Sequence, residues 1–488
     1  MSKWIKQLRT LKLPSILLLL NGFQLFGQSD SVNTISTLDI YEILEIVEQY
    51  HPIMQQAKLQ TAFADAEIRT AKGLMDPKLG ASFNQKRLND QQYYQKFGTA
   101  LKIPVWFPID PKVEVYNNKG QYLNDENFVS DKTENWQVTT GVSIPIGKGL
   151  FIDERRSTIR QANLFTDLAE AEQIKIANKT SLTVIKDYWE WYFAFRRFLL
   201  MEQSIQIADE LFRRTKQDFD FGEAAVIDTI QAQITLQSRQ VDYEKAKLEL
   251  RQTKLQLSVH LWGPNKIPVE LSEEIIPEYS SDFGLTPADS SLQKLTDWAM
   301  INHPEILKLQ AKQKQLEIER KWNRESLKPE INLSYSLIDA PFDYRGSNDI
   351  DFDNYKLGVD FSFPLFLRKE RGKLQKTELY IQSTEFGISQ TEQEVSALIQ
   401  QTYAELRTSK ILAEQYQNMA VNYERLLEAE IFNLESGESD LFKLNIQQDK
   451  YLEAQRKYFD ADLKFQKLKA TLPYVIGLPD LDYRSMYE

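Results

Sequence analysis

Two long segments of this chain contain no proline, and this absence constrains its fold more than any other feature. Residues 146–263 and 365–472 lack proline, and residues 151–221 lack glycine as well. Proline breaks helix interiors and glycine weakens them, so a continuous helix is predicted from Leu150 to Phe221. At 1.5 Å per residue it would be about 110 Å long. No compact domain needs such a helix, so the chain is predicted to be extended and mainly helical.

The two proline-free segments match each other at a fixed offset. Gly222 corresponds to Gly437, 215 residues later, and several aromatic and aliphatic residues share this offset. In the first segment, apolar residues follow steps of three and four, the spacing of a coiled-coil seam. Each glycine stands where a left-handed residue would end a helix. The sequence therefore predicts two long helical hairpins, at 148–262 and 366–472.

Proline also marks an earlier correspondence. Pro52 and Pro304 each follow a histidine and are 252 residues apart. Two later prolines, Pro77 and Pro329, are separated by the same 252 residues. Shared spacing at two anchors indicates an internal repeat. Each repeat is predicted to hold a helix, a strand pair and a helical hairpin. The predicted divisions are a first repeat at 28–262, a linker at 263–291, and a second repeat at 292–488 that ends in a C-terminal tail.

The first repeat is longer than the second. The offset falls from 252 to 219 between the strand-end prolines Pro145 and Pro364, so the first repeat carries 33 extra residues. They are assigned to an insertion at 86–134, within the first strand pair. Three prolines near its middle lack a ladder donor, which argues against a central strand there. An elaborated loop or an extra hairpin beside the strand pair is predicted.

Apolar and polar residues alternate in four stretches, and a second strand pair is predicted at 330–364. The alternation is most regular at 355–363, with the pattern of a strand between lipid and water. The predicted lipid-facing residues are Leu357, Val359 and Phe361, and the predicted pore-facing residues are Lys356, Asp360 and Ser362. Four strands cannot close a barrel, so they would have to close with copies from other chains. The alternative is a soluble sandwich of half-buried strands.

The remaining composition narrows the class of protein. Residues 1–27 place four basic residues before a short apolar run, which predicts a secretory signal peptide. Its removal would lower the formal net charge from −11 to −15, an unfavourable balance for binding nucleic acid. The chain has no cysteine and only three histidines, and no metal site, cofactor site or nucleophile–base pair is visible. We therefore predict that it is not an enzyme.

Taken in order, these features resemble the outer-membrane efflux protein family, the TolC-like channels of Gram-negative bacteria. The resemblance rests on the paired His-Pro openings, the turns FGEAAVIDTIQAQ and SGESDLFKLNIQQ, and the helix segments DYWEWYFAF and QTYAELRTS. It implies a homotrimer in the outer membrane. Duplicated α-hairpins would form a trimeric α-helical barrel in the periplasm, joined to a β-barrel with about four strands per protomer.

The resemblance also implies a function and partners. The protein would be the exit duct of a tripartite efflux or secretion system, in contact with outer-membrane lipid, a periplasmic adaptor protein and an inner-membrane transporter. The adaptor would dock at the hairpin turns, and the predicted docking residues are Gly222, Glu223, Gly437, Glu438 and Asp440. Family members often carry acidic residues six and nine positions beyond the second turn glycine, but Lys443 and Ile446 stand there. The residues considered for a tunnel-entrance gate are Asp228, Asp440 and Lys443.

A protein of a different class would share several of these features. A periplasmic coiled-coil protein that acts as a spacer without a pore would have the same signal peptide and long helices. It would have no need for four alternating strands, so the channel is the preferred prediction. The exported substrate, whether a drug, a metal ion or a protein, is left open by the sequence.

Overall fold

The computed structural model describes residues 37–129, 135–280, 283–284, 286–339 and 353–479. The predicted signal peptide at 1–27 and the last residues of the predicted C-terminal tail lie outside this part of the chain. The helices are α1 (Ile40–Tyr50), α2 (Pro52–Lys72), α3 (Glu154–Ala162), α4 (Phe165–Asp220), α5 (Val226–Ser258), α6 (Asp289–Asn302), α7 (Pro304–Glu325), α8 (Arg368–Glu435) and α9 (Leu441–Ile476). Within the described ranges, none of these helices combines the length and apolar composition needed to cross a bilayer.

Two long helical hairpins make up most of the molecule. α4 and α5 form the first hairpin and α8 and α9 form the second, and the two helices of each pair pack along one another. α4 has 56 residues and α8 has 68, so they are about 84 Å and about 102 Å long. Each proline-free segment is therefore occupied by a helical hairpin.

The continuous helix predicted from Leu150 is wrong at its start. α3 (Glu154–Ala162) is a separate helix, and a two-residue turn divides it from α4. Ile159 and Ala162 of α3 are buried together with Ala71 of α2. Packing of this small apolar cluster, rather than any helix-breaking residue, gives α3 a direction of its own.

Two buried clusters hold the short helices against the long ones. The larger surrounds Tyr188, Trp189 and Trp191 of α4, and it receives Ile43 and Val47 of α1. The smaller joins α6, α8 and the C-terminal end of α9. Burial of one large apolar side chain contributes roughly 1.5–3 kcal/mol of transfer free energy. The aromatic cluster on α4 is therefore a major source of stability in the helical part.

The predicted linker at 263–291 packs back onto the helices. Ile276–Pro277 pairs as a parallel strand with Thr37–Leu38. The hydroxyl of Tyr188 donates a hydrogen bond to the backbone carbonyl of Leu38 (3.2 Å). The segment therefore belongs to the core around α4 and does not extend freely between the repeats.

The main sheet is antiparallel and has six strands in the described residues. They are β1 (Lys78–Leu88), β2 (Gln91–Lys102), β3 (Asp110–Lys119), β4 (Trp136–Pro145), β5 (Glu330–Asp339) and β6 (Tyr355–Ser362). They lie in sequence order across the sheet, from β1 at one edge to β6 at the other. The prediction of about four strands per protomer is therefore wrong. The stretch predicted as an insertion, 86–134, provides β2 and β3, which pair between β1 and β4.

Local chemistry explains how the insertion becomes two strands. Asn89 and Asp90 have positive φ values of 51° and 59°, which makes a two-residue hairpin turn between β1 and β2. Pro111 lies within β3, although prolines here were predicted to exclude a central strand. Its carbonyl accepts a hydrogen bond from the N–H of Ile103 (2.9 Å), one position beyond the last β2–β3 pair. The missing donor of Pro111 therefore falls at the end of the ladder and breaks no strand pairing.

Candidate channel wall and helical tips

The first hairpin turns through a glycine in the left-handed conformation. Gly222 follows the end of α4 and has a φ of 82°. Its N–H donates to the carbonyl of Phe219 (2.9 Å), and the N–H of Glu223 donates to the carbonyl of Asp218 (2.8 Å). These two bonds satisfy carbonyls at the helix end, as in a Schellman motif. The conformation predicted for this glycine is the one observed.

The second hairpin repeats this turn. Gly437 has a φ of 76°, and its N–H donates to the carbonyl of Leu434 (3.1 Å). The N–H of Glu438 donates to the carbonyl of Asn433 (2.9 Å). A Cβ atom added at either Gly222 or Gly437 would meet no atom within 4 Å. Both glycines are therefore required by the backbone conformation and not by a lack of space.

The acidic residues considered for a gate cap the returning helices. Asp228, in the first turn of α5, accepts a hydrogen bond from the N–H of Ala225 (3.1 Å). Asp440 is the N-cap of α9 and accepts one from the N–H of Lys443 (2.8 Å). The ammonium group of Lys443 lies 3.7 Å from the Asp440 carboxylate, and both side chains are more than half exposed. The structure thus brings Asp440 and Lys443 together and shows helix-capping roles that the sequence analysis missed.

Exposed apolar side chains beside the tips were also missed. Ile227, Ile230 and Ile234 follow the first turn at helical spacing and are exposed on α5. Together with Phe442 and Ile446 of α9, they line a groove between the two returning helices. The signal in the sequence was isoleucine at steps of three and four directly after the turn.

Strand pairing carries one apolar face across the whole sheet. On the edge strand β6, the residues predicted to face lipid are exposed, and their partners on β5 are apolar: Leu357 with Tyr335, Val359 with Leu333, and Phe361 with Ile331. The same face continues to the other edge through Val142 and Ile144 of β4, Val113 and Val115 of β3, Phe97 and Leu101 of β2, and Leu79 and Phe83 of β1. The alternation seen in one strand therefore extends over six.

The opposite face is polar, and it carries buried polar residues in the middle strands. The residues predicted to face a pore lie on it, paired as Lys356 with Ser336, Asp360 with Asn332, and Ser362 with Glu330. Ser336 is only 3% exposed and Asn118 and Thr139 are also buried, whereas Phe361 on the apolar face is 67% exposed. A Cβ atom at Gly141 would clash with the Ser336 hydroxyl, so glycine permits close strand contact here. This arrangement is the reverse of a water-soluble sheet, in which apolar surface is buried.

The two outer strands have open edges. β1 and β6 each have a paired neighbour on one side only within the part of the chain that the structure describes. They are 11 and 8 residues long, and almost all of their side chains are exposed. Soluble proteins usually shorten, cover or charge such edges, because they invite pairing with another chain. Since the number of strands is even, β6 and β1 run in opposite directions and suit antiparallel pairing between copies.

The two His-Pro pairs mark helix starts away from the tips and the sheet. His51 begins α2, and its Nδ1 accepts a hydrogen bond from the N–H of Ile53 (3.2 Å). His303 begins α7 in the same way, with the N–H of Glu305 (3.3 Å). The following prolines take the first helical position, where no donor is needed. Burial lowers the pKa of both histidines, and for His51 the nearby His260 lowers it further.

The described ranges contain no group of three or more histidine, cysteine or acidic side chains arranged to hold a metal ion. The third histidine, His260, instead bonds through Nε2 to the carboxylate of Asp187 (2.7 Å), which also accepts from Gln256 (2.8 Å). Because the observation covers only part of the chain, the expected absence of metals and cofactors stays a prediction.

Comparison with known proteins agrees with this architecture. The family model described as "Outer membrane efflux protein" matches residues 43–261 and 295–478. Similar solved structures include the CmeC outer membrane channel of Campylobacter jejuni, at 13% identity over 91% of this chain and 86% of that chain, with a TM-score of 0.63. The outer membrane protein VceC of Vibrio cholerae is 14% identical over 90% and 96%, with a TM-score of 0.64. The open-state MtrE outer membrane channel of Neisseria gonorrhoeae is 14% identical over 92% and 93%, with a TM-score of 0.63.

The likeness to these channels shows the fold, and the family model covers most of both repeats. A search of curated proteins found no match. The predicted family and the predicted location in the outer membrane, with a periplasmic helical part, are confirmed. The chain belongs to the outer membrane efflux protein family.

Proposed function

We propose that three copies of this chain form the exit duct of a tripartite efflux or secretion system. The sheets of the three copies close into a β-barrel in the outer membrane, and the hairpins form a helical tunnel in the periplasm. A periplasmic adaptor docks at the hairpin tips and connects the duct to an inner-membrane transporter. The family and the fold support a role as an efflux duct, and the further details are our inference.

One observation carries the proposal: one apolar face runs across all six described strands, and its side chains are exposed on both edge strands. Lipid would cover this face and leave the polar face toward a water-filled lumen. The open edges β1 and β6 would then be satisfied by neighbouring copies, because unpaired strand edges are not viable in lipid. A periplasmic spacer has no partner for such a surface, so the apolar face argues against that alternative.

The tips supply what a docking site needs. Glu223 and Glu438 are exposed directly after the two turn glycines, and the Ile227–Ile234 stripe lies beside them. Apolar side chains between two helices form a groove that suits an amphipathic helix of a partner. Acidic residues at its end would favour basic residues on that partner. These features support the tips as the adaptor-binding surface.

The test compares two adjacent residues on β6. Val359→Arg would place a charge against lipid, at a cost of roughly 2–4 kcal/mol per subunit near the bilayer midplane. Asp360→Arg would place the same charge toward water. We expect Val359→Arg to abolish trimers in outer-membrane fractions, measured as heat-modifiable bands on gels, and Asp360→Arg to retain them. Equal trimer yields from the two variants would contradict a lipid-facing sheet.

A further inference from the structure

We infer that the hairpin formed by β2 and β3 is part of the channel wall and widens it to eighteen strands in a trimer. This inference rests on the proposed function, since it assumes that three sheets close into one barrel. The resemblance to the family implied about four strands per protomer and hence twelve in total. In the part of the chain that the structure describes, the sheet has six strands, because β2 and β3 lie between β1 and β4.

Continuous pairing shows that the hairpin is built into the sheet. Strand β2 pairs with β1 from Lys78↔Lys102 to Leu88↔Gln91, with one irregularity, and β3 pairs with both neighbours over eight positions each. In a loop lying over the barrel, these backbone groups would find partners elsewhere. Instead, the ladder from β1 to β4 passes through the hairpin.

The hairpin also keeps the two faces of the sheet in phase. Its apolar side chains Val113, Val115 and Leu101 continue the exposed apolar face. On the other face, Lys112 and Glu114 form an ion pair (3.2 Å), and both side chains are largely covered. A charged pair on the polar face and valines on the apolar face are the division expected of a wall between lumen and lipid.

The turn between β2 and β3 contacts helix α3. Arg155 of α3 donates two hydrogen bonds to the Asp110 carboxylate (3.0 and 3.3 Å) at the start of β3. The guanidinium of Arg160 lies over the ring of Trp106, 5.8 Å from its centre. Both contacts hold the turn between β2 and β3 beside α3. The turn between β2 and β3 therefore lies at the end of the sheet where the other strands connect to the helices.

Two additional strands per copy change the size of the lumen. For strands about 4.8 Å apart and tilted by about 40°, a closed eighteen-stranded barrel is roughly 36 Å across between backbones, and a twelve-stranded one roughly 24 Å. The cross-section therefore increases more than twofold.

The first experiment tests which side of the hairpin meets water. The chain contains no cysteine, so single cysteines can be introduced without further changes. Ala100 pairs with Gly80 on the polar face, and its neighbour Thr99 pairs with Ala81 on the apolar face. In trimers embedded in outer-membrane vesicles, a charged water-soluble maleimide should label Ala100→Cys and leave Thr99→Cys at least tenfold less modified. Equal labelling of both would overturn the placement of the hairpin in the wall.

The second experiment measures the barrel directly. Electron microscopy of purified native trimers, viewed along the channel axis, should show a strand ring about 36 Å across. In a variant that replaces residues 89–136 by Asn-Gly, Leu88 would pair with Gln137, which keeps the faces of β1 and β4 in phase. The ring should then shrink to about 24 Å. A native ring of about 24 Å would refute the inference even if the variant fails to assemble. Absence of any trimeric ring in the native protein would instead refute the proposed function.

Discussion

At the scale of single residues, His51 and His303 make the stability of two helix N-termini depend on pH. Each Nδ1 is a hydrogen-bond acceptor for a backbone N–H, and protonation would remove that acceptor and add a positive charge at a helix N-terminus. Burial lowers the pKa of both below the ordinary value of 6.5. The folded state therefore binds fewer protons than the unfolded state just below pH 6.5. The contribution of the two neutral histidine caps to the free energy of unfolding is complete above pH 6.5, and it is lost as the pH falls toward the folded-state pKa.

We therefore expect purified trimers to unfold at lower temperature as the pH is reduced from 7.5 to 5. The limiting slope is about 1.4 kcal/mol per pH unit for each histidine. The double variant with His51→Asn and His303→Asn keeps a capping acceptor that does not titrate. Its unfolding temperature, followed by helical circular dichroism, should depend less on pH. An identical pH dependence in both proteins would exclude the two caps as its source.

The turn glycines give a second prediction at this scale. Val at position 222 or 437 would have to adopt a positive φ, which costs roughly 1 kcal/mol or more. This strain is small compared with the burial that holds the molecule together. We expect Gly222→Val and Gly437→Val to leave trimer yield unchanged and to reduce efflux, because the proposed docking residues beside the turns would be displaced.

A matched control exists in the same hairpin as Gly437. Gly387 lies inside α8, where a Cβ atom would meet nothing within 4 Å and φ is not positive. Gly387→Val introduces the same side chain without the strain, so efflux should remain normal. Normal efflux in both turn variants would mean that the glycines only end their helices.

At the scale of elements, the groove between α5 and α9 should decide adaptor docking. Ile230→Glu would place a charge in its apolar lining, whereas Gln233→Glu adds the same charge to an exposed position outside it. Partner contacts in desolvated apolar pockets usually dominate binding energy. We expect Ile230→Glu to lower adaptor crosslinking from Glu438→Cys at least tenfold and Gln233→Glu to leave it nearly unchanged. Equal crosslinking would show that the groove is not the docking surface.

At the scale of the whole molecule, ion pairs join the two repeats. Arg239 of α5 is 6% exposed and bonds to Asp449 of α9. Arg197 of α4 likewise bridges Glu249 of α5 (2.7 Å) and Asp460 of α9 (3.0 Å). A buried charge left without its partner is costly, so such pairs hold the two hairpins in one alignment.

A charge exchange tests this connection. Arg239→Asp would face Asp449 with a like charge and should destabilise the trimer by roughly 1–3 kcal/mol, less than a fully buried pair because Asp449 is largely exposed. Adding Asp449→Arg restores opposite charges and should recover part of the lost unfolding temperature. If the double variant is as unstable as the sum of the single ones, the pair contributes no coupling between the repeats.

The sequence by itself determined the features that depend on neighbouring residues. The absence of proline indicated the long hairpins, and the glycines in the two turns indicated where they reverse, because helix continuity and termination are local properties of the backbone. Alternation in β6 likewise predicted its two faces, since side chains of a strand point to opposite sides. The repeated turns and the ordered segments were enough to suggest the family that the comparisons confirm.

Only the tertiary structure decided the number of strands and the break before α4. Whether β2 and β3 join the sheet depends on pairing with strands on either side, and β4 meets β5 across about 190 residues of sequence. Three prolines appeared to exclude a central strand, but the missing donor of Pro111 falls at the end of a ladder whose position the sequence does not reveal. The break before α4 likewise arises from packing of Ile159 on α2. Such contacts between distant segments set the final arrangement, because their energies exceed the local preferences from which a sequence is interpreted.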